Sequence, residues 1–329
     1  MQEIENRIKI KTKEENLARR LFQFFISFTV LFLIAGVPWG GLFNASYDAQ
    51  KVKGKGVEGG ETLPLKVFHL TQKALENKLH RILSKAAVAV DVEKGEILFE
   101  KNMEEPTPIA SLTKLMTALV FLEQNPNLDD SAAVIPSDAE SSGRSRLRVG
   151  EILTLNDLLY ASLMSSSNLA TKTLVRVSGL PFEDFVTRMN QKAKGIGLEN
   201  THFYEPTGLD ENNQSTALDC ARLLTFALRD KKIASITTKK TYAFTSLYKK
   251  KIRRHQITNT NRLLVSSLNV KGGKTGYNGP SGWCLATLVE NEDGTKIATV
   301  ILGAPTSFTR FKETKSIIKW SSKKVTEGT

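Results

Sequence analysis

Cysteine and histidine are scarce in this chain of 329 residues, which contains two cysteines and four histidines. Two cysteines are too few to stabilise a fold of this length by disulfide bonds, and neither Cys220 nor Cys284 lies in a Cys-x-x-Cys or zinc-like arrangement. The histidines lack metal-ligand spacing, which argues against a zinc hydrolase. We therefore predict two buried free thiols and a chemistry that uses no metal or organic cofactor.

Charged residues are absent between Arg20 and Asp48, and residues 21–37 are predominantly apolar. That length is typical of a membrane-spanning helix, and Trp39 suits the membrane interface just beyond it. The basic excess upstream predicts a cytoplasmic N-terminus and places the chain after Asp48 outside the cytoplasm. The run could instead be a cleaved signal peptide, whose cleavage site is incomplete here, or a core helix, which the absence of a polar face disfavours.

The chain is long enough for one core of about 250 residues, with further segments outside it. We predict a basic cytoplasmic segment at 1–20, a transmembrane signal-anchor helix at 21–43, a linker at 44–64, a folded domain at 65–322 and a tail at 323–329. The linker prediction depends on the glycine-rich, weakly hydrophobic run at 51–61.

Hydrophobic patterning within the folded domain alternates between strand-like and helical. Strand-like runs joined by turns at 93–95 and 291–295 predict one hairpin near each end of the domain. Strands from both ends with helices between them predict an α+β fold built on an antiparallel sheet. The predicted strands are 86–92, 96–100, 282–290 and 296–303, and the predicted helices are 111–123, 155–164, 169–177, 182–194 and 311–320.

Ser111 and Lys114 open the predicted helix at 111–123. Residues three apart on a helix approach within about 5–6 Å at Cβ, so the lysine amine can reach the serine hydroxyl. The helix N-terminus adds positive potential for a developing anion. The pair suits a nucleophile and its base, and by itself it equally suits an ordinary N-cap serine.

Two further motifs follow in order. Ser166 and Asn168 stand at a junction between two predicted helices, where both side chains can point outward. Lys274, Thr275 and Gly276 precede the strand at 282–290; the glycine lets a ligand approach the backbone, and the other two offer charge and hydroxyl to a carboxylate. Ser-x-x-Lys, Ser-x-Asn and Lys-Thr-Gly in this order form the signature shared by penicillin-binding proteins and serine β-lactamases.

From about residue 86 to 320, the chain resembles the low-molecular-mass penicillin-binding proteins, the serine D-Ala-D-Ala carboxypeptidases of peptidase family S11. Residues 109–118, 147–151, 201–203 and 206–210 match further segments of that family. The resemblance implies a β-lactamase/D,D-peptidase-like fold, with an antiparallel sheet flanked by helices plus a helical subdomain. It makes 65–322 the catalytic domain of a single-pass protein of the bacterial cell membrane, facing the periplasm or wall.

The resemblance also implies a role for each motif residue. Ser111 attacks the carbonyl between two D-alanines of a peptidoglycan stem peptide, Lys114 takes its proton, and Ser166 relays a proton to the departing amine. Burial beside a second cation is expected to lower the pKa of Lys114, as a base requires. Water resolves the acyl-serine intermediate, and β-lactams become covalent inhibitors. The implied substrate-binding residues are Asn168, Lys274, Thr275, Gly276, Tyr277 and Arg310, with the backbone N–H groups of Ser111 and Tyr277 as the oxyanion hole.

The sequence departs from the family at two places. It ends soon after Trp320 without the β-rich domain and amphipathic anchor of many carboxypeptidases, so the N-terminal helix is expected to replace that anchor. Around Ser166, the run Met164-Ser165-Ser166 resembles the D,D-endopeptidase branch. Carboxypeptidase and endopeptidase therefore both stay open. Three further functions compete with these two: a β-lactamase, for which no Glu-x-x-Leu-Asn segment is found, a non-catalytic wall-binding protein and a cationic membrane adaptor.

The net charge of +12 is partly concentrated between Lys231 and His255, a stretch with nine lysines and arginines and no acidic residue. The simplest interpretation is a solvated face. If the stretch binds a partner, the predicted orientation favours anionic wall polymer or membrane surface, and no nucleic acid is expected.

Overall fold

The computed structural model describes residues 69–70, 82–143 and 145–326. The predicted basic segment at 1–20, the anchor at 21–43, the linker at 44–64 and residues 327–329 lie outside them. A mixed six-stranded sheet, in the order β1-β3-β2-β12-β11-β10, is built from both ends of the folded domain and is antiparallel except where β1 pairs with β3. Its strands are β1 His69–Leu70, β2 Ala86–Asp91, β3 Glu96–Lys101, β10 Val270–Asn278, β11 Gly282–Glu290 and β12 Lys296–Ala304. The α+β prediction is confirmed.

The central strands are buried on both faces. Every residue of β2 is buried, and its alternating side chains enter two different cores. Successive side chains of a strand point to opposite faces, so a short run of small and β-branched residues can serve both cores at once. Ala86 and Val88 belong to the larger core beneath the helices, and Ala87 and Ala89 belong to the smaller core that includes Ile317 of the C-terminal helix.

Eight α-helices are described in residues 82–143 and 145–326, and most lie between β3 and β10 in sequence. The two central ones, α1 and α3, are buried along almost their whole length, as their predominantly apolar sequences require. The helices are α1 Lys114–Glu123, α2 Pro136–Ala139, α3 Leu155–Met164, α4 Asn168–Arg176, α5 Phe182–Gly195, α6 Ala217–Ala227, α7 Lys231–Thr238 and α8 Ser307–Thr326. In the part of the chain that the structure describes, none of them is both long and apolar enough to cross a membrane.

The helix predicted at 111–123 begins later than its sequence pattern indicates. Residues Ala110–Thr113 form a 3₁₀ turn, and α-helical geometry starts at Lys114. Ala110 has a positive φ of 46°, a conformation that an α-helix does not allow and that costs energy for a residue with a Cβ. Ser111 therefore lies on a tight turn ahead of the helix.

A second, four-stranded sheet carries the later part of the basic stretch, from Thr241 onward. Its order is β5-β6-β8-β9, with β5 Ser131–Ala133, β6 Ile152–Thr154, β8 Thr241–Tyr248 and β9 Lys251–Thr258, and two short strands, β4 Thr107–Pro108 and β7 Gln214–Ser215, pair separately. The hairpin tip between β8 and β9 exposes Lys249, Lys250 and Lys251. Two other basic residues of the stretch point inward: Arg253 pairs with buried Glu151, and Lys232 binds Asn156.

Candidate active site

The ammonium of Lys114 is held by oxygen atoms from three segments of the chain. Its Nζ lies 2.8 Å from the Oγ of Ser111, 2.7 Å from the Oδ1 of Asn168 and 2.5 Å from the carbonyl oxygen of Thr207. Ser111 precedes α1, Asn168 begins α4 and Thr207 lies in the loop after α5. The fold thus brings the first two motifs together at the amine.

Burial changes the protonation of this lysine. Lys114 has no exposed surface, and burial lowers its pKa from 10.5 to about 7, while the carboxylate of Glu205 acts in the opposite direction. An amine with this pKa is about half neutral at pH 7, so it can accept a proton from the neighbouring hydroxyl.

The third motif meets the second at Ser166. The Nζ of Lys274 lies 2.9 Å from the Oγ of Ser166 and 2.8 Å from the carbonyl oxygen of Thr275. Lys274 is fully buried, and burial together with the charge of Lys114 lowers its pKa well below the usual value. Ser166 has a positive φ of 60°, a strained backbone of the kind found at functional sites.

A backbone cradle lies beside Ser111 because strand β10 passes unusually close to the 3₁₀ turn. A Cβ built on Gly276 would lie 2.9 Å from the carbonyl oxygen of Ile109 and 3.1 Å from the backbone nitrogen of Ser111. Only glycine fits this approach without displacing the turn. Tyr277, whose backbone N–H the family resemblance pairs with that of Ser111 in an oxyanion hole, directly follows Gly276 in this strand.

Arg310 lies behind β10 rather than on an open surface. Its side chain is buried, and its Nη1 donates to the carbonyl oxygens of Gly276, at 3.0 Å, and Cys284, at 3.2 Å. The guanidinium also lies 4.8 Å from the ring centre of Trp283. Burial lowers its pKa to about 10, so it remains charged at neutral pH. The arginine brings positive charge to the strand that carries Thr275 and Gly276.

Three residues to which the sequence motifs assign no role also build the site. Thr207 contributes its carbonyl oxygen to Lys114, and Glu205 anchors that loop by accepting the backbone N–H groups of Thr207, at 2.7 Å, and Leu209, at 2.8 Å. Thr260 contacts the Thr275 hydroxyl at 2.6 Å. Thr207 lies within the matching segment at 206–210 and Glu205 directly precedes it, whereas nothing in the local sequence marks Thr260.

Neither cysteine takes part in a disulfide. Cys220 and Cys284 are free and buried, as predicted, and burial raises the pKa of Cys284 to about 11. Among the described residues, no three His, Cys, Asp or Glu side chains are grouped so as to hold a metal ion.

Comparisons with known proteins agree with this architecture. The family model described as D-alanyl-D-alanine carboxypeptidase (peptidase S11) matches residues 71–306. A D-alanyl-D-alanine endopeptidase of Pseudomonas aeruginosa is 34% identical over 249 residues, covering 73% of this chain and 77% of that protein. The D-alanyl-D-alanine carboxypeptidase DacF of Bacillus subtilis is 35% identical over 234 residues, covering 68% of this chain and 58% of that protein. The crystal structure of the Streptomyces K15 DD-transpeptidase matches with a TM-score of 0.70 at 26% identity, covering 73% of this chain and 97% of that one. The predicted fold is confirmed.

Proposed function

The chain belongs to the D-alanyl-D-alanine carboxypeptidase family of serine peptidases, and we propose that it hydrolyses the terminal D-Ala-D-Ala bond of peptidoglycan stem peptides. The observation that carries this proposal is the contact of 2.8 Å between the Nζ of Lys114 and the Oγ of Ser111, made by a lysine whose pKa burial lowers to about 7. A hydroxyl beside a neutral buried amine is an activated nucleophile.

In the proposed acylation step, Lys114 takes the proton of Ser111 as the Oγ bonds to the carbonyl carbon of the penultimate D-alanine. The backbone N–H groups of Ser111 and Tyr277 stabilise the oxyanion, each by about 10²–10³ in rate. Ser166, which already accepts a hydrogen bond from Lys274, gives its hydroxyl proton to the nitrogen of the departing D-alanine and receives in exchange the proton that Lys114 took from Ser111. The C–N bond breaks, free D-alanine leaves, and the acyl group stays on Ser111.

The substrate carboxylate is proposed to lie against the third motif. Lys274 and Thr275 offer charge and hydroxyl, Asn168 orients the peptide, and the buried Arg310 adds positive charge from behind the strand. A carboxylate placed there compensates a cluster of buried cations that otherwise repel one another.

Water then hydrolyses the acyl-serine, and the position of Glu205 favours a peptidase over a β-lactamase. Its carboxylate accepts the backbone N–H groups of Thr207, Gly208 and Leu209, so it is engaged in holding its own loop. These hydrogen bonds occupy the carboxylate within its own loop, whereas a lactamase of the commonest class needs a Glu that is free to activate the deacylating water.

A second candidate is a D,D-endopeptidase, which cleaves the corresponding bond in a peptidoglycan crosslink. Its support is that the chain covers 77% of an endopeptidase relative but 58% of a carboxypeptidase relative at nearly equal identity. The catalytic steps are the same, and only the group attached to the leaving amine differs.

Labelling with fluorescent penicillin tests the proposal. We expect a stable covalent adduct in the wild type, none in Ser111→Ala, and an unchanged adduct in Ser131→Ala, an exposed serine on β5. Rapid turnover of the label supports a β-lactamase, and no adduct in the wild type supports a wall-binding protein or membrane adaptor. Digestion of purified muropeptides then separates released D-alanine from conversion of crosslinked dimers to monomers.

We also propose that the catalytic domain works outside the cytoplasmic membrane, held there by residues 21–43. The support is the charge-free run at 21–37 with its upstream basic residues. The full-length protein is expected to stay in the membrane pellet after an alkaline carbonate wash and to be digested by protease added to intact spheroplasts. Release by the wash, or protection from the protease, contradicts this.

A further inference from the structure

A cavity of about 320 Å³ lies beside Ser166, between the loop after α2, the end of α3 and the hairpin β8-β9. Its volume falls at the lower end of the range for ligand pockets, about 300–1,000 Å³. Ser166 and Ser167 line it, so the second motif borders both the catalytic cluster and this cavity. None of the catalytic steps proposed above uses the cavity.

The cavity lining combines buried apolar side chains with serine hydroxyls, and a charged side chain lies at its rim. Buried Leu147, Phe244 and Ile257 line the interior, and the exposed Arg146 lies at the rim. Arg146 donates one hydrogen bond, from Nη1 to the carbonyl oxygen of Gln256 at 3.1 Å. A guanidinium has five N–H donors, so the same side chain can also bind a carboxylate. The lining suits an aliphatic chain that carries a carboxylate at its far end.

One wall of the cavity is held rigid by a buried polar network. His255 stacks on Phe244, with ring centres 4.7 Å apart, and its Nε2 lies 2.9 Å from both the Oγ of Ser246 and the Oε2 of Glu151. Arg253 pairs with the other oxygen of Glu151. Burial lowers the pKa of His255, which favours the neutral ring. The two aromatic rings therefore form a fixed surface, as a built binding site requires.

The position of the cavity identifies what it can receive. In the proposed reaction, Ser166 passes a proton to the leaving amine, so that amine must come within hydrogen-bond reach of its Oγ. Any chain attached to the leaving residue then begins at the mouth of the cavity. A terminal D-alanine carries a methyl group there, which leaves the cavity empty, whereas the leaving residue of a crosslink carries a second stem peptide.

We propose that this cavity is a leaving-side subsite that receives the second stem peptide of a crosslinked substrate, with Arg146 binding one of its carboxylates. The inference rests on the proposed D,D-peptidase activity and deepens its endopeptidase form. It makes Arg146 a specificity residue, because it contacts a part of the substrate that a terminal D-alanine lacks.

The test compares kcat/KM for a crosslinked muropeptide dimer with kcat/KM for the matching pentapeptide monomer. Arg146→Glu is expected to lower the dimer-to-monomer ratio about tenfold, the effect of one lost charge-assisted hydrogen bond worth about 1.4 kcal/mol. Ser145→Trp, which places an indole at the rim, should lower the ratio at least as much. Arg148→Glu is the matched control, since it makes the same charge change on an exposed arginine of the same loop that does not line the cavity.

The penicillin adduct serves as the check that each variant has an intact site. If Arg146→Glu forms no adduct, the dimer-to-monomer ratio of Ser145→Trp alone tests the subsite. An unchanged ratio in both variants, or an equal fall in Arg148→Glu, overturns the subsite. A wild type that releases D-alanine but leaves dimers intact overturns the subsite and leaves the carboxypeptidase standing. A wild type that forms no adduct and cleaves neither substrate overturns the proposed function and this inference with it.

Discussion

The backbone of Gly208 is packed directly against the carbonyl of Ala110. A Cβ built on Gly208 would lie 1.9 Å from that oxygen, and Gly208 has a positive φ of 81°. The contact joins the loop that supplies the carbonyl oxygen of Thr207 to the turn that supplies Ser111. The distance between Ser111 and Lys114 thus depends on a glycine that contributes no side chain to the site.

The first prediction follows from this contact. Gly208→Ala is expected to lower the free energy of unfolding by more than about 3 kcal/mol and to abolish penicillin labelling, because both clash and backbone strain must be relieved. Gly197→Ala is the control: its φ is 73°, but nothing lies within 4 Å of the added Cβ, so about 1–2 kcal/mol of strain alone is expected. Equal losses in urea unfolding of the two variants contradict the role of the contact.

The second prediction concerns pH. Lys114 accepts a proton only when neutral, so the acylation rate constant should rise with pH, reach half its maximum near pH 7 and level off above it. Below pH 7 the rate should fall about tenfold per pH unit. Stopped-flow measurement with a fluorescent penicillin between pH 5.5 and 9 checks this. Lys114→Arg should show no acylation at any of these pH values, since a guanidinium keeps its proton; a flat wild-type profile argues against Lys114 as the base.

The third prediction separates the two effects of Glu205. Its negative charge raises the pKa of Lys114, so Glu205→Gln should move the midpoint of the acylation profile to a pH below that of the wild type. The carboxylate also holds the backbone N–H groups of Thr207 and Leu209, so the same variant should be less stable by about 1–3 kcal/mol. A midpoint that moves to higher pH contradicts the electrostatic assignment.

The fourth prediction isolates the hydroxyl of Ser166 from its strained backbone. Glycine adopts a positive φ at little cost, so Ser166→Gly should be at least as stable as Ser166→Ala. Both variants lack the hydroxyl and should lose about 10²–10⁴ in the rate of D-alanine release. If Ser166→Gly retains wild-type rates in the muropeptide assay, the hydroxyl does not relay the proton.

The fifth prediction concerns the exposed basic hairpin tip. We expect the wild type to bind purified wall sacculi in a salt-sensitive way, and the triple change of Lys249, Lys250 and Lys251 to Glu to remove most of that binding. The same change at the exposed lysines of α8, Lys312, Lys315 and Lys319, is the control with an identical change in net charge. Equal losses in both triple variants indicate a general charge effect, and no binding at low salt removes the hypothesis.

Much of the fold could be predicted because its strongest patterns are local. The hairpins at both ends and the helices α3, α4 and α5 lie within a few residues of their predicted bounds, since their apolar periodicity matches the faces they bury. Strand β10 was not predicted. Its sequence, VKGGKTGYN, has three glycines and low β propensity. The strand forms because it pairs along its length with β11, and its glycines allow it to pack closely against the turn at Ser111.

The sequence by itself determined the identity and order of the chemical groups: a serine three residues before a lysine, a serine two before an asparagine, and Lys274 before Thr275 and Gly276. Only the tertiary structure decided how they act. Segments far apart in the chain bury Lys114 and so lower its pKa, and they bring the carbonyl oxygen of Thr207 to its amine. They also form the cavity beside Ser166. The pKa of a side chain and the space available to a substrate depend on the residues that surround the site in three dimensions, and local sequence does not contain that information.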